Sequence, residues 1–420
     1  MVARYKKSID QFTMMLHIIK TKKDLHAGAI VDFQLLLLTK VKEAEKAILR
    51  TKAIIQKLRL EKSNDRPTKE RSKEITKLIP KFEEKLEDYK YIIYIWKMYG
   101  ESIAFIFCDK YAIKHFLYDK NYNIKETAGF ISGKEGLKAE LMFLKEAGKN
   151  NVPAVLCDLT NTLRHGDVCL LGRSDPFPIE IKTTKSDAYK PDKRAEKQFR
   201  SIGELNSFFK NDAAENFRGG GPVVRNELSF KEKYHFQAIN QCIEKAYIEE
   251  MSHVSPESGI HYIAALKFKP EVYKQISAKY VHQINLNTFK RELNWHPYTP
   301  FHLSLAPEHL YKFIIGNLSI IVILDLQIIK RRFKQNGMHL TYLQDGPWYA
   351  QISATGNILE GGLRISMQSF LRLAFEFQSL SWAIKQYKEH LKSFMEEKDR
   401  PGRAMEIPPD WFTAKDCIPA

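Results

Sequence analysis

Asp167, Glu180 and Lys182 are the residues of this chain whose types and spacing could do chemistry together. They fall in GDVCLLG (166–172) and in PFPIEIKTT (176–184), two short apolar runs separated by RSDP. In an extended strand, residues i and i+2 point to one face. Glu180 and Lys182 therefore project together, while Ile179 and Ile181 turn to the core. A hairpin turning at about Arg173 to Asp175 brings Asp167, which opens the neighbouring strand, to the Glu180 end of its partner. Two carboxylates and one ammonium then share one face of a sheet. That set suits phosphodiester hydrolysis. Carboxylate oxygens hold Mg²⁺ while leaving positions open for water and a substrate phosphate. The ion polarises the phosphate and lowers the pKa of a bound water. Lys182 can orient or deprotonate that water and offset developing charge. The Ile181 carbonyl can complete the metal shell.

The same spacing occurs at Glu83-Glu84-Lys85 and Glu396-Glu397-Lys398. Those matches lie on expected helices, where i and i+2 do not face each other. The match at 180–182 differs because it sits in a β-patterned run flanked by isoleucines. The bland alternative is a surface strand carrying an ordinary Glu–Lys pair.

The elements that must position these residues can be read from periodicity. Residues 1 to about 100 are expected to be helical. Val31, Leu35, Leu38, Val41, Ile48, Ile55 and Leu58 recur at helical spacing. SNDRP (63–67) breaks the pattern, and a second run follows from Ile75 to Trp96, with Pro80 expected to kink its start. The two runs suggest an antiparallel hairpin. Residues 1–100 hold 23 Lys/Arg against 13 Asp/Glu, so the hairpin is either a solvated pair packing on the rest or on a second copy, or an arm gripping phosphates. An apolar patch (101–130) is expected to pack under the next module. Residues 134–149 read as a helix with Leu137, Leu141, Leu144 and Ala147 on one face, ended by Gly148 and Asn150-Asn151. VPAVLCDL (152–159), GDVCLLG and PFPIEIKTT read as strands, residues 192–210 as a helix, RGGGP (218–222) as a mobile loop, and GIHYIAALKF (259–268) as a strand. Residues 134–268 thus run α-β-β-β-α-(insert)-β, an α/β module. Beyond it, residues 317–333 turn from strand into helix, 340–353 form a hairpin around Asp345-Gly346-Pro347, and one long helix spans roughly Met367 to Glu397 before a Pro-rich tail.

Composition bounds the function classes. Of 420 residues, 66 are Lys or Arg and 50 Asp or Glu, a net charge of +16. This favours a polyanionic partner. Cys108, Cys157, Cys169, Cys242 and Cys417 are scattered and form no CxxC. A zinc site or disulfide framework is not expected, and a reducing, cytoplasmic setting is. The N-terminus lacks the apolar core of a signal peptide, and the greasiest stretch, Leu318 to Ile329, carries Asp325 and is too short to span a bilayer. No Walker A, GxGxxG or GxSxG motif occurs.

On these motifs the segment from about Gly133 to Phe268 resembles the PD-(D/E)XK, or restriction-endonuclease-like, nuclease superfamily. The resemblance covers about a third of the chain. It implies an αβββαβ core, with the signature Asp at Asp167 and the (D/E)xK at Glu180 and Lys182. It also implies a metal-binding Glu on the preceding helix, at Glu140 in LKAELMFL, and a supporting polar residue on the following helix, at Gln198. It implies Mg²⁺, with Mn²⁺ as a substitute, and cleavage of DNA more often than RNA. By analogy alone it suggests defence against foreign DNA. Gly166 departs from the family's Pro before the Asp, and the insert at 211–258 is long.

Other residues have two readings each. His165 is a proton donor or a strand-end histidine. Asp158 is an outer acid of the site or a turn Asp. Lys185 and Lys190 contact phosphate or line a solvated loop, and Thr183 and Thr184 pair in the sheet. Lys330, Arg331, Arg332 and Lys334 form a nucleic-acid face or a solvated helix end. The expected fold is α/β, with a helical arm at 1–130, the nuclease-like core at 131–270 and an α+β region at 271–420. The expected function is a Mg²⁺-dependent nuclease, with a homo-oligomer through the N-terminal helices, a protein activator and no membrane among its expected associations. Two further readings are a catalytically inactive nucleic-acid-binding or scaffolding protein, and an oligomerisation protein built on the hairpin.

Overall fold

The computed structural model describes residues 2–22, 26–64, 67–119, 124–125, 129–181, 193–215, 217, 223–225, 228–276, 280–290, 295–343 and 348–396. Lys182, Thr183, Thr184, Lys185, Lys190, the RGGGP segment, Asp345-Gly346-Pro347 and the Pro-rich tail lie outside them. Helix α1 spans Lys6–Thr21, α2 Ala27–Asn64, α3 Lys69–Phe107, α4 Lys110–Ile113 and α5 Leu137–Lys149. Strands β1 (Ala154–Leu156), β2 (Val168–Leu170) and β3 (Phe177–Ile179) follow, then α6 (Lys193–Asn211), β4 (Ala213–Ala214), β5 (Val223–Val224) and α7 (Phe236–Glu249). Next come β6 (Met251–Glu257), β7 (Ile260–Ala265), α8 (Pro270–Lys274), β8 (Val281–Asn285), α9 (Leu286–Phe289), α10 (Pro307–Ile315) and β9 (Ser319–Asp325). The described chain closes with α11 (Leu326–Gln335), β10 (His339–Tyr342), β11 (Trp348–Ser353), β12 (Leu363–Ser366), α12 (Met367–Phe375) and α13 (Leu380–Glu396). Helices and small antiparallel sheets are mixed throughout. Contacts divide the chain into two compact units, Met1–Leu117 with Glu126–Ile202, and Tyr118–Lys125 with Gly203–Ala420. The helical arm expected to end near 130 thus falls in one unit with the β1–β3 sheet, and the segment from 203 to 270 groups with the C-terminal region.

In the first unit the expected hairpin forms. Six of the seven apolar residues read on α2 are buried, with Leu35 half-buried. Thr68 caps α3 by accepting from the Arg71 N–H, and Pro80 lies inside α3, which runs on through it. The hairpin is no detached arm. From Tyr94 to Ala104 α3 is buried on every side, which a helix acquires only inside a core. Gly100 explains how closely it approaches: a Cβ there would meet the Leu159 carbonyl oxygen at 2.1 Å. Gly148, read from sequence as a helix stop, instead faces Val31 of α2, where a Cβ would meet Cγ2 at 2.6 Å. Asn151 is the residue that turns left-handed, at φ 57°, and its side chain accepts from the Ala27 N–H at the start of α2 (2.8 Å).

Strands β1, β2 and β3 form an antiparallel sheet in that order. The outer edge of β1 is sealed by Gln34 of α2. Its amide donates to the Ala154 carbonyl (2.8 Å) and accepts from the Leu156 N–H (2.9 Å). A buried strand edge must find partners for its backbone groups, and one buried glutamine supplies both. Ile179 and Ile181, expected in the core, are half-buried, because β3 is the other edge of the sheet.

In the second unit β6, β7, β9 and β8 form an antiparallel sheet in the order β6-β7-β9-β8, and β10, β11 and β12 form another. Strand β7 therefore forms where GIHYIAALKF suggested, but it hydrogen-bonds to β6 and β9. The sixth element of the expected αβββαβ order does not join β1–β3. The reason is local: Ser258-Gly259 closes a β6–β7 hairpin, with Gly259 at φ 90°, and pairing with the immediate neighbour is satisfied first. The turn from β9 into α11 falls where the sequence placed it, with Asp325 accepting from the Gln327 and Ile328 N–H groups. The single long C-terminal helix is two helices. Phe377, at φ 50°, breaks the run, and buried Glu376 is held by Arg372 and by the N–H and hydroxyl of Thr299.

Candidate active site

Val168 pairs with Ile179, so Asp167, just before β2, and Glu180, just after β3, lie at the same end of the strand pair. The expected strand over 176–184 stops at Ile179, which leaves Glu180 and Ile181 past its end. The Asp167 N–H donates to the Ile179 carbonyl (2.8 Å), and its Oδ2 accepts from the Ile181 N–H (2.9 Å). Gly166 is what permits the approach. Its φ is 80°, and a Cβ there would meet the Ile179 oxygen at 3.0 Å and Pro178 Cβ at 3.2 Å. Proline, locked near φ −65°, cannot adopt that conformation, so glycine at this position follows from the local backbone.

Two residues outside the core sequence motif complete the site. The Lys134 ammonium lies 2.8 Å from Glu140 Oε1, 2.8 Å from Asp158 Oδ2 and 3.1 Å from Asp167 Oδ1. Glu140 comes from the first turn of α5, Asp158 from the 3₁₀ turn Cys157–Leu159 after β1, and Asp167 from the position just before β2. Burial lowers the affinity of Lys134 for its proton, but the bonds to Asp158 and Glu140 and the charge of Asp167 outweigh it and raise the pKa. Burial raises the Glu140 pKa, as do the charges of Asp167 and Asp158, while Lys134 opposes them. Among the described residues, Glu140 Oε2 is buried with no hydrogen-bond partner.

Helices α2 and α3 brace this cluster. Glu45 of α2, itself buried, accepts the N–H groups of Ile131 and Ser132 (both 2.8 Å) and so anchors the segment leading to Lys134. Glu101 of α3 accepts from the Asn161 N–H (3.2 Å) and from the Thr162 hydroxyl, fixing the loop between Asp158 and Asp167. Burial pushes the Glu101 carboxyl up to about 7, against the pull of these bonds and of Arg164. Lys97 of α3 is buried nearby. Burial lowers its pKa, and the charges of Asp158 and Glu45 oppose that. Cys157 is no nucleophile here, because burial, together with the charges of Asp158 and Asp167, drives its thiol well up.

The donor set suits a hard divalent cation. Three carboxylates face the Lys134 ammonium, and the Glu140 oxygen that has no partner among the described residues is the kind of atom a bound ion satisfies. Lys134 marks a cation position by occupying it. The structure does not bring every expected residue there. Gln198 is half-buried on α6 and makes no hydrogen bond to these carboxylates among the described residues. His165 is buried, edge-on to Phe116 and 3.2 Å from the Ser201 hydroxyl. Lys182 lies outside the described residues.

In the second unit, Arg332 of the basic cluster is committed elsewhere. It bonds Glu257, which also accepts from His235, Ser379 and Ser381. Burial opposes ionisation of Glu257, but these four partners hold its carboxyl well below the usual range. Glu244, Glu308 and His309 offer a second group of ligand atoms lying within 4.8 Å of one another, with both glutamates exposed. Sequence reasoning singled out none of these residues except Arg332. No described helix is long and apolar enough to cross a membrane. Comparison with protein-family models, with curated proteins and with solved structures finds no match to this chain.

Proposed function

We propose that this chain is a Mg²⁺-dependent nuclease with a PD-(D/E)XK-type site, hydrolysing phosphodiester bonds in DNA. One observation carries the reading: Glu140, Asp158 and Asp167 converge on a single cation position, with Asp167 at the end of the strand pair that Glu180 follows. In this reading Glu140, Asp167 and Glu180 hold the metal. The bound ion supplies Lewis acidity and a water of lowered pKa. The Ile181 N–H fixes the Asp167 carboxylate, so the site is set before substrate arrives. Lys182, two residues past Glu180, orients the attacking water and offsets charge on the phosphate. The net charge of +16 draws the polyanion in.

The test is cleavage of plasmid, linear duplex, single-stranded DNA and RNA with Mg²⁺ or Mn²⁺. Wild type is compared with Asp167→Ala and Lys182→Ala, their folding checked by circular dichroism. The expected result is metal-dependent cleavage reduced at least ~100-fold in both variants, the order expected for loss of one group that stabilises developing charge. Cleavage that persists in Asp167→Ala, or metal binding without turnover on any substrate, counts against the proposal. The latter outcome favours a nucleic-acid-binding protein with the same site.

A further inference from the structure

Lys134 stands apart from the three carboxylates it joins. The acids are fixed: the side chains of Glu140, Asp158 and Asp167 are 3%, 17% and 14% exposed, whereas that of Lys134 is 31% exposed. Glu140 rides on α5, Asp158 on a 3₁₀ turn packed against Gly100, and Asp167 is bonded to Ile181. Lys134 is outside any helix or strand and follows Gly133, which is at φ 87° with open space where a Cβ would stand. Its backbone is anchored next door by Glu45, so the flexible four-carbon side chain can leave without dislodging the segment.

The ammonium engages one oxygen from each acid. A Mg²⁺ needs such oxygens at about 2.0–2.1 Å. An ion bound to them would sit almost on top of Nζ, and two cations that close, in a half-buried pocket, repel strongly. Lysine and metal are therefore mutually exclusive occupants. The acid set also exceeds what one lysine requires. Three carboxylates surround it, and buried Glu140 keeps an oxygen with no partner among the described residues.

We propose that Lys134 is a displaceable internal cation that holds Glu140, Asp158 and Asp167 together until a divalent ion takes its place, and that Asp158 thereby becomes a metal ligand beside the other two. The inference rests on reading this cluster as a metal centre. It makes metal entry a competition, so the centre loads only where the free divalent ion outcompetes the lysine. It also assigns Asp158 a direct role that its position in a turn conceals.

The experiment is Mn²⁺ titration of the full chain followed by electron paramagnetic resonance, comparing wild type, Lys134→Met and Asp158→Asn. Methionine matches the four-atom stem of lysine and lacks its ammonium. The expected result is at least ~10-fold tighter Mn²⁺ binding by Lys134→Met and at least ~10-fold weaker binding by Asp158→Asn, as expected when a site gains or loses one charge of interaction. A second readout uses the unaltered protein. Amine acetylation mapped by mass spectrometry should label Lys134 several-fold faster once Mn²⁺ is added. Wild-type binding that Lys134→Met leaves equal or weaker, with Lys134 labelling unmoved by Mn²⁺, overturns the displacement while leaving the metal centre standing. Absence of Mn²⁺ binding in both wild type and Lys134→Met overturns the metal centre, and the displacement with it.

Discussion

Glu101 is a carboxyl in the wrong place for an acid, deep in the first unit and titrating at about 7 rather than near 4.5. Between those two values the folded chain keeps a proton that the unfolded chain has released, so stability falls as pH rises through that window and is flat above it. The shift corresponds to about 3 kcal/mol. Glu101→Gln should remove this decline, giving urea midpoints that differ less between pH 5 and pH 8 than those of wild type. An unchanged pH dependence would mean that Glu101 is solvated or ionised throughout. Glu101 illustrates which residues of the site were legible in the sequence. Asp167 and Glu180 stood out because the apolar runs they border are short and joined by a turn signal. Glu45 and Glu101 could not, because a mid-helix glutamate with a buried role looks like one on a solvated face. Asp158 was in view only as an outer acid or a turn Asp, since its 3₁₀ turn follows a three-residue strand, and Lys134 precedes the helix on which Glu140 was found. What unites them is position in space, which no spacing rule along the chain encodes.

At the scale of elements, the site depends on how closely α3 approaches the turn that carries Asp158. Gly100→Ala would improve helix propensity by up to ~1 kcal/mol. The added carbon, however, would fall 2.1 Å from a backbone oxygen of Leu159, and overpacking of that kind costs about 1–3 kcal/mol or more. The clash should win. Thermal denaturation should show Gly100→Ala less stable than wild type, and the displaced turn should weaken Mn²⁺ binding. A variant as stable as wild type would show that the turn moves freely. The helical hairpin, the α5 helix and the centres of the three strands of the first sheet were legible from periodicity, but the third strand ends at Ile179, short of Glu180, which the alternation had placed inside it. Partners were less so. GIHYIAALKF makes a strand, but nothing in its ten residues says which sheet it enters, and the adjacent β6 claims it. The break at Phe377 was invisible for a related reason. It contains neither Gly nor Pro, and the contacts of Glu376 that fix it come from Thr299, far away in sequence.

For the whole molecule, the surplus of 66 basic over 50 acidic residues should appear as salt-sensitive binding to nucleic acid. If four phosphates are neutralised, affinity for duplex DNA should fall about 100-fold between 50 and 200 mM salt. Affinity independent of salt would show that the charge serves something else. If the acids around Lys134 form a metal centre that cuts nucleic acid, plasmid cleavage must depend on both the metal and Asp167. Wild type and Asp167→Ala are incubated with supercoiled plasmid in Mg²⁺, and again with chelator in its place. Cleavage by wild type in Mg²⁺ alone, lost with chelator and lost in the variant, is the predicted result. Equal cleavage by both proteins, or cleavage indifferent to the chelator, would contradict it.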